Sequence, residues 1–93
     1  MIKDSYLNKV KYMLKQSGYR NSCKREYILK VLLKSTLYIC AQEIKNKIYK
    51  DFNIKISLAT VYNQLELLES FSIVKSLILP KKRKKVYVIN RIF

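Results

Sequence analysis

The sequence predicts a small, mainly α-helical fold closed by a short β-hairpin, and three observations predict it. Apolar residues recur at helical spacing in four successive segments between Ser5 and Phe71. The period then changes to that of strands, in two runs separated by Pro80 and five consecutive basic residues. One Gly and one Pro in 93 residues are too few for a loop-rich chain. A hydrophobic fraction of 49% excludes a disordered basic tail, and the length suits a single domain over residues 1–93.

The first helix spans about Ser5 to Gln16, with Tyr6, Val10, Met13 and Leu14 on one face. Gly18 follows it in the position where a left-handed residue closes a helix. The second helix takes Ser22 as its N-cap, turns Tyr27, Ile28, Val31 and Leu32 inward, and ends near Ser35-Thr36. Cys40-Ala41-Gln42-Glu43 opens the third as a capping box, with a thiol where Ser or Thr would accept the backbone hydrogen bond. Ala41, Ile44 and Ile48 mark its buried face and Asn53 closes it. The fourth begins after Ser57 and buries the stripe Leu58, Val61, Leu65, Leu68. Ile73 to Leu79 and Lys85 to Asn90 form the hairpin, the second strand alternating Val86 and Val88 against Tyr87 and Ile89. Four helices and then a two-stranded wing is the chain order of a winged helix-turn-helix with an added N-terminal helix. In that fold the helix before the hairpin enters the DNA major groove and the wing lies on the backbone.

Charge points the same way. Twenty Lys and Arg against six Asp and Glu leave +14, with no histidine. Residues 1–35 carry nine bases and two acids, residues 36–72 four of each, and residues 73–93 seven bases and no acid. Two cationic footings therefore flank a neutral middle that contains the expected reading helix, an arrangement suited to double-stranded DNA. The same composition argues against catalysis. Histidine, the commonest acid–base group, is absent, one glycine cannot build a phosphate loop, and Glu66 and Glu69 read as a solvated pair. Cys23 and Cys40 lack a CxxC spacing and a histidine partner, so they are expected to be reduced structural thiols in the cytoplasm, with no metal and no cofactor. The longest uncharged stretch, Ile56 to Leu65, is too short to cross a bilayer, and no apolar run near Met1 resembles a signal peptide. The eight tyrosines are expected mostly in the core, although tyrosine can also stack on single-stranded bases.

Three strings then resemble a known family. Gly18-Tyr19-Arg20-Asn21-Ser22-Cys23-Lys24-Arg25 resembles the Gly-x-Arg-x-Thr-x-x-Arg entry to the second helix of ferric uptake regulator (Fur) proteins. Cys40-Ala41-Gln42-Glu43-Ile44 is similar to their Ser-Ala-Glu-Glu-Ile segment. Ile56-Ser57-Leu58-Ala59-Thr60-Val61-Tyr62-Asn63-Gln64-Leu65 is similar to their Ile-x-Leu-Ala-Thr-Val-Tyr-Arg-x-Leu recognition helix. The resemblance runs over roughly residues 6–90. It implies the DNA-binding half of a repressor that binds AT-rich inverted repeats, while the family's C-terminal dimerisation and metal domain is expected to be absent. Tyr38 stands where many members have histidine, and Asn63 where the family usually has arginine. Those departures turn the expectation away from metal sensing and from the family's usual base preference.

Residue roles follow. Asn63 points away from the apolar stripe and is expected to pair with adenine; Tyr62 and Thr60 are expected to meet thymine methyls or phosphates. Glu66 would mark the end of the contacting surface or discriminate for cytosine. Arg20 is expected in a narrow minor groove, a role the resemblance also implies. Arg25, in the first turn of the second helix, is expected to hold a phosphate that offsets the helix dipole. Lys81, Lys82, Arg83, Lys84 and Lys85 are expected to hold phosphates from the wing. A homodimer is compatible with the sequence, through the first helix or Arg91-Ile92-Phe93. Two other readings stay open: a coating protein for DNA or RNA without sequence preference, and a regulator remnant serving as an interaction module.

Overall fold

Helix boundaries lie where the terminal residues can satisfy backbone groups that have no partner inside the helix. The computed structural model describes residues 2–91, with side chains from residue 5 onward. Its elements in order are α1 (Ile2–Gln16), α2 (Cys23–Lys34), β1 (Ile39–Cys40), α3 (Ala41–Phe52), α4 (Leu58–Ser70), β2 (Val74–Leu79) and β3 (Lys84–Ile89). Gly18, at φ 92°, closes α1. Its N–H reaches Lys15 O and that of Tyr19 reaches Leu14 O, the paired bonds of a Schellman motif. Ser22 and Ser57 cap α2 and α4, each accepting a bond from the backbone N–H three residues on. Asn53 closes α3 in the left-handed conformation. Cys40 differs from expectation. Its thiol makes no capping bond and instead donates to Glu43 Oε1 at 3.5 Å, because a thiol is a poor acceptor for a backbone N–H.

The helices converge on one apolar cluster. Val10 of α1, Ile28 and Leu32 of α2, Ile44 and Ile48 of α3, Val61, Leu65 and Leu68 of α4, and Ile73 all have no exposed surface. The stripe expected on α4 is thus the side that seats it, which leaves the opposite side outward. Tyr87 and Ile89 of β3 join the same cluster. Tyr6 reaches across from α1 and donates to Asn90 O at 3.0 Å and Ile73 O at 3.3 Å, fastening both sides of the hairpin base.

The sheet has three antiparallel strands in the order β1-β3-β2. Leu79 pairs with Lys84 at the tip and Val74 with Ile89 at the base. The wing is therefore as expected, but the sequence reading missed β1, which pairs Ile39 with Tyr87 and Cys40 with Val86. Two residues carry no readable period, and their pairing depends on where α3 begins beside β3. The tyrosines also depart from expectation. Tyr12, Tyr19, Tyr38, Tyr49 and Tyr62 are exposed, since a phenol keeps its hydroxyl in water while only part of its ring packs. Arg91 donates to Leu33 O and Ser35 O, each at 3.3 Å; Ile92 and Phe93, considered above for a dimer contact, lie outside the described residues. Among the described residues no helix is long and apolar enough to cross a membrane.

Candidate nucleic-acid interface

The interface is built outward from α4. With Val61, Leu65 and Leu68 buried, Ala59, Tyr62, Asn63 and Glu66 face solvent. Tyr62 is 47% exposed, so its ring is free to meet a ligand. Thr60 is half-buried, its hydroxyl 2.7 Å from Ser57 Oγ and its N–H bonded to the same oxygen. That pairing ties its hydroxyl to the cap. Ser57 thereby starts the helix at the end that would enter a groove, where the dipole favours a phosphate. A shallow hollow lined by Lys45, Asn46, Tyr49, Ile54, Lys55 and Ile56 opens beside this end.

The wing flanks α4 on one side. Lys81, Lys82, Arg83 and Lys84 are exposed at its tip. Arg83 sits at φ 50°, a left-handed conformation that Gly or Asn adopts more readily. Lys85 differs from the others. Its ammonium lies 3.2 Å from Glu69 Oε1 and 5.6 Å from the centre of the Tyr87 ring. Ser76 Oγ donates to the other oxygen of the same carboxylate. Glu69 is thus not the solvated acid read from the sequence but the bond between α4 and both strands of the wing. The Ser76 hydroxyl, more than Lys85, holds its carboxyl below the usual glutamate range against the opposing effect of burial. Burial pushes the Tyr87 phenol up, with the Lys85 charge opposing.

The loop after α1 also reaches α4, through Arg25 on Gln64 and Tyr19 on Phe71. Arg20 is exposed there. Arg25 is 9% exposed, and its side chain turns inward. Its Nε donates to Gln64 Oε1 at 2.8 Å and its Nη1 to Arg20 O at 3.0 Å. The few acids of the sequence had suggested a phosphate as its partner. In the structure a side-chain amide and a backbone carbonyl accept from its Nε and Nη1. Burial lowers the pKa of this guanidinium, and the nearby Tyr19 opposes the shift. Tyr19 itself packs edge-on against Phe71, ring centres 5.8 Å apart.

Tyr62 and Asn63 therefore lie exposed on α4, the Arg20 loop is fastened to it, and the wing carries its exposed tip from a base bonded to Glu69. Of Gln64 and Glu69, which organise that surface, the first has no role predicted from the sequence and the second reads there only as a solvated acid. The available signal for Glu69 was an acid on the reading helix followed by a segment with seven bases and none of its own charge sign. Gln64 offered no signal. Among the described residues no three His, Cys, Asp or Glu side chains converge as metal ligands would.

The chain and its fold are similar to those of known proteins. The peroxide-responsive repressor PerR of Staphylococcus aureus is 39% identical over 64 residues, which is 69% of this chain and 43% of the repressor. The Helicobacter pylori ferric uptake regulator Fur superposes with a TM-score of 0.82 at 28% identity, covering 94% of this chain and 57% of that one. PerR from Streptococcus pyogenes gives a TM-score of 0.78 at 27% identity over 90% of this chain and 56% of that one. F93 from STIV, a winged-helix DNA-binding protein, gives 0.64 at 25% identity over 77% of each chain. The chain spans about half the length of the Fur and PerR proteins it matches. The sequence pattern of the ferric uptake regulator family matches residues 16–91, and with this winged-helix architecture the chain belongs to that family.

Proposed function

We propose that this chain is a DNA-binding transcriptional regulator that reads AT-rich duplex DNA through α4, without catalysis. The observation that carries the reading is the outward row of α4. Tyr62 and Asn63 stand exposed on a helix seated by Val61, Leu65 and Leu68, to which Glu69 fastens the cationic wing and Arg25 the loop that carries Arg20. Asn63 pairs with adenine N6 and N7, Tyr62 contacts a thymine methyl or a phosphate, and Arg20 enters the adjacent minor groove. Lys81, Lys82, Arg83 and Lys84 hold phosphates and add affinity that is independent of sequence. Residues 1–93 act as one winged-helix unit in the cytoplasm, and two copies on an inverted repeat would place two such units on one face of the duplex. These residues do not themselves answer to a metal: they include no histidine.

Fluorescence anisotropy tests the reading, with an AT-rich inverted-repeat duplex and a shuffled duplex of equal composition compared across a salt series. The expected result is a preference of at least tenfold, about 1.4 kcal/mol, that persists as salt rises and is unchanged by chelator or added Mn²⁺, Fe²⁺ or Zn²⁺. Equal affinities falling together with salt would replace base reading by phosphate binding alone.

A further inference from the structure

We propose that Arg25 is a positioning residue whose guanidinium locks the Arg20 loop to the reading helix, so that minor-groove and major-groove contacts are presented in one fixed register. This deepens the function proposed above and rests on it. The geometry is specific. Nε holds Gln64 Oε1 at 2.8 Å in the middle of α4, one residue from Asn63. Nη1 holds the carbonyl of Arg20 itself at 3.0 Å. The two acceptors lie on opposite sides of α2 in the chain, and only a side chain with several divergent donors can take both. The Arg25 backbone N–H is bonded to the Ser22 cap at 3.2 Å, which fixes where the side chain starts.

A second contact carries the same inference. Tyr19, next to Arg20, lies edge-on to Phe71 just past the end of α4. The loop is therefore fastened along α4 at two places, Gln64 through Arg25 and Phe71 through Tyr19. One anchor would leave Arg20 free to swing; two determine its distance and direction from Tyr62 and Asn63. Among the described residues Nη2 has no protein acceptor, so a phosphate contact there is the competing role, and the salt slope separates it from the lock. Misplacement of a contact group by about 1 Å weakens recognition severely, so a lock of this kind acts on specificity.

The test uses Arg25→Lys, Arg25→Gln and Gln64→Ala in the 93-residue chain, with far-UV circular dichroism to verify folding. In the free protein, ¹⁵N relaxation and amide exchange of residues 19–22 are compared with the wild type. On DNA, the inverted-repeat and shuffled duplexes are titrated across a salt series. A lock predicts faster motion and exchange at residues 19–22 in all three variants. It also predicts a drop of at least threefold in the preference for the inverted repeat, with the salt slope unchanged. Arg25→Lys should be as impaired as Arg25→Gln, because a lysine keeps the charge but not the fork. The double variant of Arg25→Gln with Gln64→Ala should be no worse than Arg25→Gln alone. Overturning results are unaltered loop motion in the free variants, or a salt slope reduced by about one unit in Arg25→Gln and retained in Arg25→Lys, which marks a phosphate contact. If the wild type itself shows no preference, the base-reading assignment fails, and the free-protein measurements still decide whether the lock exists.

Discussion

At the scale of single residues, the proposed phosphate contact and local stability pull in different directions at Arg83. Its φ of 50° puts a β-carbon where the left-handed region disfavours one, and among the described residues its side chain makes no bond that would offset the strain. Replacing it with glycine should raise stability by about 0.5–1 kcal/mol, the relief of left-handed strain less the entropy glycine loses on folding. The midpoint of urea unfolding measures that gain. The same variant should bind DNA more weakly, with a salt slope smaller by about 0.9; an unchanged slope would remove Arg83 from the interface. Asn63 acts differently. Asn63→Ala should lose about 1–3 kcal/mol of discrimination at an adenine position while leaving affinity for the shuffled duplex nearly as it was. Uniform weakening on both duplexes would show that Asn63 reads nothing.

At the scale of elements, the wing is placed against α4 by a carboxylate. Glu69 accepts from Ser76 on β2 and Lys85 on β3, so both strands are referred to α4. The ion pair is partly exposed, with side chains 44% and 35% accessible, and such pairs contribute little by themselves. Its value here is geometric. Because Glu69 titrates below its usual value of 4.5, the folded state binds fewer protons than the unfolded chain does across that interval. The added stability is present above the ordinary glutamate pKa and fades as pH falls through it toward the folded value. Glu69→Gln should therefore melt below the wild type at neutral pH, and the gap should close as pH is lowered below about 4.5. A gap independent of pH would assign the effect to packing instead.

At the scale of the whole molecule, the proposed function assigns charge and base reading to different parts of the chain. The helices bury their apolar faces in one cluster, and the densest run of cations, Lys81 to Lys85, lies at the wing. Replacing Lys81, Lys82, Arg83 and Lys84 together with Gln should reduce the slope of log affinity against log salt by as much as about 3–4. The ratio of affinities for the two duplexes should stay within about twofold, since phosphate contacts carry no base identity. A collapse of that ratio would mean the wing also reads sequence.

Much of this was legible in the chain. The four helices, their serine and glycine caps, the hairpin and the outward side of α4 follow from spacing within a turn or two, and local sterics and hydrogen bonding decide them. The Leu-Ala-Thr-Val-Tyr string likewise pointed to the family from adjacent residues. Tertiary structure decided the rest. Arg25 finds its acceptor on Gln64, 39 residues away, and β1 finds β3 across the whole of α3 and α4. Glu69 closes on Ser76 and Lys85 only when the hairpin folds back along α4. A periodic pattern records which side of an element is buried. Where a long polar side chain ends depends on which distant acceptor packing brings within 3 Å or so of it, and only the assembled chain determines that.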